Sequence, residues 1–354
     1  MDYKLSKETV ALLEDIEARI DPEVEEDYIG QWRNFLYDRF EGEIFMPVRK
    51  KLSKSPVEIP AIDNINDALE SYDNMLRHQL AGVSAALGSK RGNLCVRANY
   101  GTGILSSLFG AEIFVMPREM NTLPTTRSFN DTELIREKVE AGMPDLMTGF
   151  GKNVFEFGEM CSEVFEKYPK IKKYVKVYHP DLQGPLDICE LLWGGEIFYA
   201  MYDEPELVHA MLRLVTDTYI EFIEKWFKMF PPSEEMNLHW GFLWHRGAIM
   251  LRDDSAMNLQ PDFYREFAMP YDGELLKKYG GAVHFCGKGD HYIEMLSSLP
   301  GLYGVQMSQP QYNDMEVIYK NTVDKNIKLL AFNKKIAEQD VSRQGGFRHN
   351  LSIG

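Results

Sequence analysis

The segment GAVHFCGKGDHYIEMLSSLPGLYGVQM, residues 281–307, is the clearest indication of the fold. A short apolar run predicts a strand over Ala282–Phe285, and an amphipathic stretch predicts a helix over Tyr292–Leu299. A second apolar run predicts another strand over Tyr303–Met307. Strands that are joined by a helix lie parallel in one sheet, so this segment predicts an α/β protein with a parallel sheet.

The same alternation extends over the rest of residues 91–354. Strands are predicted at Leu94–Ala98, Ile113–Met116, Tyr174–Tyr178, Met236–Trp240, Ile249–Leu251, Ala282–Phe285, Tyr303–Met307 and Ile327–Ala331. The longer helices are predicted at Pro205–Phe230, Pro261–Tyr279 and Asp314–Val323. About eight parallel strands favour a closed (β/α)8 TIM barrel. An open doubly wound sheet is the alternative, but no strand is followed by the Gly-x-Gly-x-x-Gly turn of a dinucleotide site.

Residues 1–90 show a different pattern, in which helical periodicity dominates. Ser6 is a suitable N-cap for a first helix, and at most one strand is expected, near Ile44–Val48. The sequence therefore predicts a barrel over residues 91–354 with an added helical N-terminal segment, residues 1–90, that packs on the barrel.

Composition limits the classes of partner. The net charge of −15 repels phosphate backbones and anionic lipid headgroups, so neither nucleic acid nor a membrane surface is expected as a partner. The 4 cysteines are sparse and lack the spacing of a disulfide framework. The sequence contains no signal-like apolar core and no apolar run long enough to span a membrane. These features together predict a cytoplasmic protein.

The strongest chemical signal is the sequence His284-Phe285-Cys286-Gly287 at the end of a predicted strand. Residues i and i+2 of a strand project to the same face, so His284 and Cys286 can present a nitrogen and a sulfur to one ion. Zinc accepts this pair of ligands, and a zinc site at His284 and Cys286 is one interpretation. The other is a buried structural histidine beside an inert core cysteine.

Further polar residues follow other predicted strands, where a barrel places its catalytic groups. Asp253 and Asp254 follow Ile249–Leu251 and are candidate catalytic carboxylates, although two adjacent aspartates can also simply cap a turn. His239 and His245 are candidates for proton transfer or for completing a metal site, and the alternative for each is a structural role.

Asp181 and Gln183 follow the predicted strand Tyr174–Tyr178 and precede a helix that begins at Pro185. Both side chains are candidate substrate contacts, and the free N–H groups at the start of that helix can bind an anion. An ordinary strand-to-helix turn would use proline and glycine in the same way.

Together these stretches resemble the uroporphyrinogen decarboxylase-like superfamily, which includes the decarboxylase and cobalamin-dependent methyltransferases. The resemblance covers roughly residues 93–354 and implies the TIM barrel. The matching stretches are Asp181–Asp187, Asp203–His209, Asp253-Asp254, Gln260–Phe267 with Pro270-Tyr271, and His284–Gly287.

The methyltransferase branch is the closer one. Its His-x-Cys zinc pair corresponds to His284 and Cys286, whereas the position of its third ligand, a late cysteine, falls at or near Ile353. A metal would therefore need a substitute, for which His239, His245, Asp253 and His349 are candidates. The decarboxylase branch fits less well. Its N-terminal Arg-Gln-Ala-Gly-Arg-Tyr run is missing, its essential aspartate corresponds to Gly101, and its late histidine corresponds to Ile353.

The resemblance implies three hypotheses about function. The leading one is a zinc-assisted methyltransferase that takes a methyl group from a corrinoid carried by a partner protein. The second is a metal-free lyase, a decarboxylase of an anionic tetrapyrrole-like substrate whose carboxylates are held by Arg246, Arg252 or Arg97, with uroporphyrinogen itself disfavoured as the substrate. The third is a non-catalytic binding subunit. The resemblance also implies a small-molecule substrate and a homodimer.

Overall fold

A computed structural model of the protein describes residues 3–57 and 63–354. Its strands are β1 (Ile44–Phe45), β2 (Cys95–Val96), β3 (Glu112–Phe114), β4 (Thr125–Arg127), β5 (Lys176–Val177), β6 (Asn237–His239), β7 (Leu243–His245), β8 (Ile249–Arg252), β9 (Gly281–Phe285), β10 (Leu302–Met307), β11 (Lys328–Phe332) and β12 (Leu351–Ile353). Its α-helices are α1 (Lys7–Arg19), α2 (Pro22–Leu36), α3 (Tyr72–Leu87), α4 (Ile104–Leu108), α5 (Thr132–Ala141), α6 (Gly149–Phe165), α7 (Pro169–Tyr174), α8 (Pro185–Trp193), α9 (Glu196–Asp203), α10 (Pro205–Met229), α11 (Pro261–Phe263), α12 (Met269–Tyr279), α13 (Ile293–Leu296), α14 (Met315–Asn321) and α15 (Lys334–Asp340).

The centre of the fold is a six-stranded sheet with the order β1-β12-β11-β10-β9-β8. Every pair of neighbours in this sheet is parallel. A separate pair, β2 and β5, is also parallel. The protein is therefore a mixed α/β structure built on a parallel sheet, as the alternation of strands and helices predicts.

Two predicted strands do not belong to this parallel arrangement. The strand predicted at Ile113–Met116 is β3, which pairs antiparallel with β4, and the strand predicted at Met236–Trp240 is β6, which pairs antiparallel with β7. The β6–β7 connection is only residues 240–242, too short for a parallel crossover. Trp240 and Gly241 make the tight turn, with φ angles of 52° and 75°. The prediction of parallel barrel strands at these two places was therefore wrong.

The chain ends contribute the strands at one edge of the sheet. The strand expected near Ile44–Val48 is confirmed as β1, which pairs with β12 through Ile44↔Leu351 and Phe45↔Ser352. β12 was not predicted, because a three-residue strand is too short to show an alternating pattern. The N-terminal segment thus supplies one strand of the sheet as well as its helices.

Helix boundaries follow their local chemistry. The Ser6 side chain accepts a hydrogen bond from the Thr9 N–H and caps α1, as predicted. The helix predicted over Pro261–Tyr279 is interrupted by a π-helical turn at Tyr264–Ala268. Pro270 lies just after this turn and has no N–H to donate to the carbonyl of Glu266, which accounts for the wider turn. No helix in the described ranges combines the length and apolarity that a membrane crossing requires.

Alternate residues of the central strands face two different apolar clusters. Leu251 and Val283 belong to the larger cluster, which includes most of the helices, whereas Met250 and Ala282 belong to a smaller one around Trp32. Since side chains alternate along a strand, the face of Met250 and Ala282 continues toward the carboxyl ends as Arg252 and His284. The sheet therefore changes from apolar to polar along this face, at the end where its strands finish.

Candidate metal centre

Three neighbouring strands place the polar residues of this site. In the sheet register, Arg252 of β8 lies opposite His284 of β9, and His284 lies opposite Gln306 of β10. Asp254 comes two residues after the end of β8, and Cys286 comes directly after β9. These residues therefore meet at the carboxyl edge of the parallel sheet.

Asp254, His284 and Cys286 form what is called here the metal triad. Each offers one ligand atom, and these atoms all lie within 4.8 Å of one another. His284 Nε2 is 3.3 Å from Cys286 Sγ and 3.4 Å from Asp254 Oδ1. Nitrogen, sulfur and carboxylate oxygen are all ligands that zinc accepts.

Gln306 orients the histidine of the triad. The Gln306 amide nitrogen donates to the Met307 carbonyl over 3.3 Å, which directs Oε1 toward the imidazole. His284 Nδ1 is in hydrogen-bond contact with this oxygen. Because an amide oxygen can only accept, Nδ1 carries the proton, and the lone pair of Nε2 points to Cys286 and Asp254. Metal-ligating histidines are usually held in this way.

Burial and charge affect the protonation of the triad. Burial raises the pKa of the Cys286 thiol to about 11, and the carboxylate of Asp254 adds to this effect. Burial also lowers the pKa of His284, although Asp254 opposes the shift. Without a cation, the site therefore favours a neutral thiol and a neutral imidazole, and a bound cation would stabilise the thiolate instead.

Asp254 is fixed by its own hydrogen bonds. Its Oδ1 accepts from the Cys286 N–H over 2.7 Å, and its backbone N–H donates to Asp187 Oδ2 over 3.1 Å. The N–H of Ser255 also donates to Asp187, over 2.7 Å. Asp187 lies in the first turn of α8 and thus ties the loop after β8 to that helix.

A cavity of about 440 Å³, called here the triad cavity, reaches Asp254. Its wall is formed by Thr102, Thr126, Ser128, Gln183, Asp187, Glu190, Leu191, Gly194, Asp254 and Ser255. Another cavity, of about 370 Å³, is lined mainly by apolar side chains of α6, α10 and the β6–β7 hairpin and by none of the triad residues. Of these two cavities, only the triad cavity is lined by a residue of the metal triad, Asp254, so it is the candidate substrate space.

Asp253 does not belong to the metal triad. It is buried with Asp187 and Asp272, and these three carboxyl groups are called here the buried acid group. Burial, and then the charge of Asp272, raises the pKa of Asp253 well above its usual range. Burial and Asp254 raise the pKa of Asp187 to about 7. The two adjacent aspartates of the sequence motif therefore have different surroundings.

A second polar group lies next to His284, because its Arg252 is opposite His284 in the sheet register. Asp181 Oδ2 accepts from Arg97 Nη1 over 2.8 Å, and the Arg252 guanidinium contacts Asp181 Oδ1. Burial would raise the pKa of Asp181, but Arg252 and Arg97 outweigh it and hold that pKa well below its usual range. His239 is fully buried, and its Nε2 lies 3.9 Å from Asp181 Oδ1, beyond hydrogen-bond distance.

The remaining candidates lie elsewhere. His245 Nδ1 is 3.0 Å from the Arg246 carbonyl, and burial lowers the pKa of His245 to about 4. The Arg246 guanidinium lies over the ring of Tyr303, 4.4 Å from its centre, near the amino ends of the strands. His349 Nδ1 is 3.0 Å from the Gly42 carbonyl. The structure does not bring these three side chains to the metal triad.

Sequence analysis did not identify three residues of the site. Gln306 and Asp187 orient the triad, and the Trp240 ring packs against His284 with 5.1 Å between ring centres. Aligning the two predicted parallel strands could have revealed Gln306, because it lies directly opposite His284. No signal in the sequence could have placed Trp240, since the β6–β7 hairpin itself was not predicted.

The overall fold resembles that of a methyltransferase from Methanosarcina mazei, with a TM-score of 0.61 and 15% sequence identity. The match covers 92% of this chain and 91% of that chain. No family model and no curated protein matches the sequence. At this identity the similarity concerns the fold, and any activity must be argued from the site.

Proposed function

We propose that the protein is a metal-assisted methyltransferase that uses the metal triad to bind the acceptor. The observation that carries the proposal is the convergence of a nitrogen, a sulfur and a carboxylate oxygen within 4.8 Å at the carboxyl edge of the sheet. The methyltransferase of similar fold supports the reaction class. The family resemblance of His284–Gly287 also supports it.

The triad fits a zinc ion by the chemistry of its donors. His284 Nε2, Cys286 Sγ and Asp254 Oδ1 would hold the ion, with Asp254 in place of the late cysteine of the resembling family. When bound, zinc supplies Lewis acidity that lowers the pKa of a thiol. Gln306 keeps the proton on Nδ1 of His284, and the Cys286 N–H holds the Asp254 carboxylate.

In the proposed reaction, a methyl group moves from the cobalt of a corrinoid to the sulfur of an acceptor thiol. The cobalt–carbon bond breaks, its electron pair stays on cobalt, and the thiol proton leaves to water. The corrinoid is a substrate carried by a partner protein. The acceptor reaches the triad through the triad cavity, where Asp187 and Gln183 line the wall.

The proposal includes closure of the sheet into a (β/α)8 barrel. The residues after β5 run against β8, because the Met250 N–H donates to His179 Nε2 over 3.1 Å. A Cβ atom added at Gly184 would lie only 2.1 Å from the Arg252 carbonyl oxygen, so the two segments are in close backbone contact. These contacts support joining the β2–β5 pair to the edge strand β8.

Decarboxylation of uroporphyrinogen is not favoured. Gly101 occupies the position of the aspartate that is essential in the decarboxylase branch, and its φ angle is 76°. A Cβ atom there would lie 2.1 Å from the Pro124 carbonyl oxygen, so no carboxylate side chain fits. Ile353, at the position of the late histidine, is buried in β12 and can neither donate nor accept a side-chain hydrogen bond.

The test combines metal analysis with a methyl-transfer assay. Protein purified without chelators in zinc-supplemented medium should contain close to one zinc per chain, and Cys286→Ala should contain almost none. With methylcobalamin and thiols of different charge, the metal-loaded protein should produce thioethers and the Cys286→Ala protein should not. Wild-type protein that repeatedly binds no zinc would rule the proposal out.

A further inference from the structure

The space of about 370 Å³ beside the β6–β7 hairpin, called here the apolar cavity, lies away from the metal triad. Its wall includes Lys176 and Asn237, which begin β5 and β6, and Ala248, which directly precedes β8. The metal triad lies instead beyond the carboxyl ends of β8 and β9. The two sites are therefore at opposite ends of the strands, and the proposed methyl transfer gives the apolar cavity no role.

The wall of the apolar cavity offers apolar surface to an occupant. Val177, Phe227, Met229 and Phe230 line it and are only partly buried. Removing such surface from water is favourable, and cavities with an apolar lining bind apolar molecules. A volume of about 370 Å³ accommodates a chain of about ten carbons, at about 30 Å³ for each small group.

The rim of the apolar cavity carries one positive charge without an ionic partner. Glu166 and Lys172 line the cavity and neutralise each other, with 2.6 Å between Oε1 and Nζ. Lys176 also lines the cavity, and its Nζ donates to the Lys173 carbonyl over 2.8 Å. No carboxylate of a described residue forms an ion pair with Lys176. An ammonium group has three donors, so Lys176 can still bind an acceptor.

The surroundings of Lys176 do not compensate its charge. Burial lowers the pKa of Lys176, and the charge of Glu26 opposes this shift without cancelling it. Glu26 is itself paired with Lys173, over 2.8 Å. Because lysines that are largely buried usually have an ionic partner, an anion at the rim would supply the missing one.

The sequence around Lys176 is basic, although the chain as a whole is acidic. The segment KYPKIKKYVK, residues 167–176, contains five lysines and no acidic residue, in a chain of net charge −15. Exposed charges farther away than about 10 Å are largely screened at ordinary salt, so the local charges decide what an ion meets at the rim. An apolar wall below an unpaired ammonium group matches a molecule with an apolar chain and an anionic head.

We propose that the apolar cavity binds a free fatty acid of about ten carbons, with its chain in the cavity and its carboxylate at the Lys176 ammonium group. The site is separate from the proposed function, and binding needs no metal. Amphiphiles with a cationic head are then the disfavoured class.

The first test uses three probes with the same chain and different heads. Decanoate carries an anion, decanol carries no charge and decylamine carries a cation at neutral pH. Calorimetry below the micelle concentration should give one decanoate site per chain, with decanol weaker and decylamine weakest. Decanoate with a terminal bromine should also quench tryptophan fluorescence, because bromine quenches at short range and Trp226 and Trp244 line the cavity.

The second test changes the two halves of the site separately. Lys176→Met removes the ammonium group and should weaken decanoate roughly tenfold while changing decanol by less than about twofold. Lys277→Met is the matched control, because Lys277 is exposed on α12 and does not line the apolar cavity, and it should change neither. Ala248→Phe reduces the volume of the cavity and should weaken decanoate and decanol alike.

Decylamine that binds the wild type as tightly as decanoate, or decanoate binding that Lys176→Met leaves unchanged, would overturn the assignment of the head. Decanoate that binds without saturation, or brominated decanoate that leaves the fluorescence unquenched, would overturn the site itself. This quenching experiment uses wild-type protein, so it decides the site even if Ala248→Phe does not fold. Zinc-loaded and chelator-treated protein should bind decanoate equally, so failure of the proposed function would not affect this result.

Discussion

The metal triad and the buried acid group lie side by side, and each contains three side chains that can ligate a metal. The triad mixes nitrogen, sulfur and oxygen donors that converge within 4.8 Å beside a cavity. The buried acid group contains only carboxyl groups, and burial raises their pKa values. The difference shows that a count of acidic residues does not identify a metal site. A metal site also requires that the ligand atoms converge on one point and that their surroundings leave them free of protons.

The largest expected effect is the loss of metal when a ligand of the triad is removed. Cys286→Ala should weaken zinc binding by more than about 100-fold, because even residues that only orient ligands contribute about 10–100-fold. Competition with a chromophoric chelator measures this affinity. Asp253→Ala is the contrasting variant, and it should retain most of the affinity if the two groups are as separate as the structure indicates.

The next effect concerns the residue that orients His284. Gln306→Leu removes the acceptor of the Nδ1 proton, so the imidazole can adopt the other tautomer or turn. Zinc affinity should fall by about 10–100-fold. Gln306→Glu keeps an acceptor oxygen and should recover most of the loss. Equal affinities for the wild type and Gln306→Leu would show that the tautomer is fixed in some other way.

The buried acid group should instead affect how stability depends on pH. Burial raises the pKa values of these carboxyl groups above their unfolded value of about 3.9, so the folded protein binds more protons than the unfolded chain. Their contribution to stability is complete below about pH 4 and is lost as the pH rises through the folded pKa, which is about 7 for Asp187. The free energy of unfolding should therefore decrease from pH 5 to pH 8.

Urea unfolding at several pH values tests this expectation in metal-free protein. Each excess proton contributes a slope of up to about 1.4 kcal/mol per pH unit, and Asp253→Asn should reduce that slope because the amide does not ionise. The exposed Asp203→Asn is the control and should leave the slope as in the wild type. A wild-type stability that rises between pH 5 and pH 8 would contradict the protonated acid group.

Sequence patterns predicted part of this arrangement. The i and i+2 spacing placed His284 and Cys286 on one face, since that depends only on strand geometry. It did not distinguish Asp254 from Asp253, because the loop after β8 decides which carboxylate turns toward the triad, and that loop is held by Asp187 from a distant helix. The candidates for the third ligand were chosen by residue type alone. They therefore did not include Asp254, the carboxylate that the structure places beside His284 and Cys286.

The fold, like the site, was predicted only in part from the sequence. Parallel strands with their own helices were predicted, because the alternation of apolar runs and amphipathic stretches is local. The β3–β4 and β6–β7 hairpins were mistaken for parallel strands, because a short apolar run does not reveal the direction of its partner. The hairpin turn at Trp240 shows the consequence, since it brings an aromatic ring against His284 that no local pattern could place.

The smallest expected effect distinguishes two arginines that sequence analysis treated alike. Arg252 lies opposite His284 in the sheet register, whereas Arg246 lies over the rings of Tyr37 and Tyr303, 5.0 Å and 4.4 Å from their centres. Such cation–π contacts contribute about 0.5–1 kcal/mol each at partly exposed sites. Arg246→Met should therefore lower the free energy of unfolding by roughly 1 kcal/mol and change zinc and thiol affinities by less than about twofold. The methionine side chain takes the place of most of the arginine methylene groups, so the packing against the two tyrosine rings is retained and only the positive charge is lost. Urea unfolding measures the free energy of unfolding, and titration of a thiol into cobalt-loaded protein from the same preparation measures the thiol affinity. A tenfold change in thiol affinity with unchanged stability would place Arg246 in the substrate site, and the separation between the amino and carboxyl ends of the strands would then need revision.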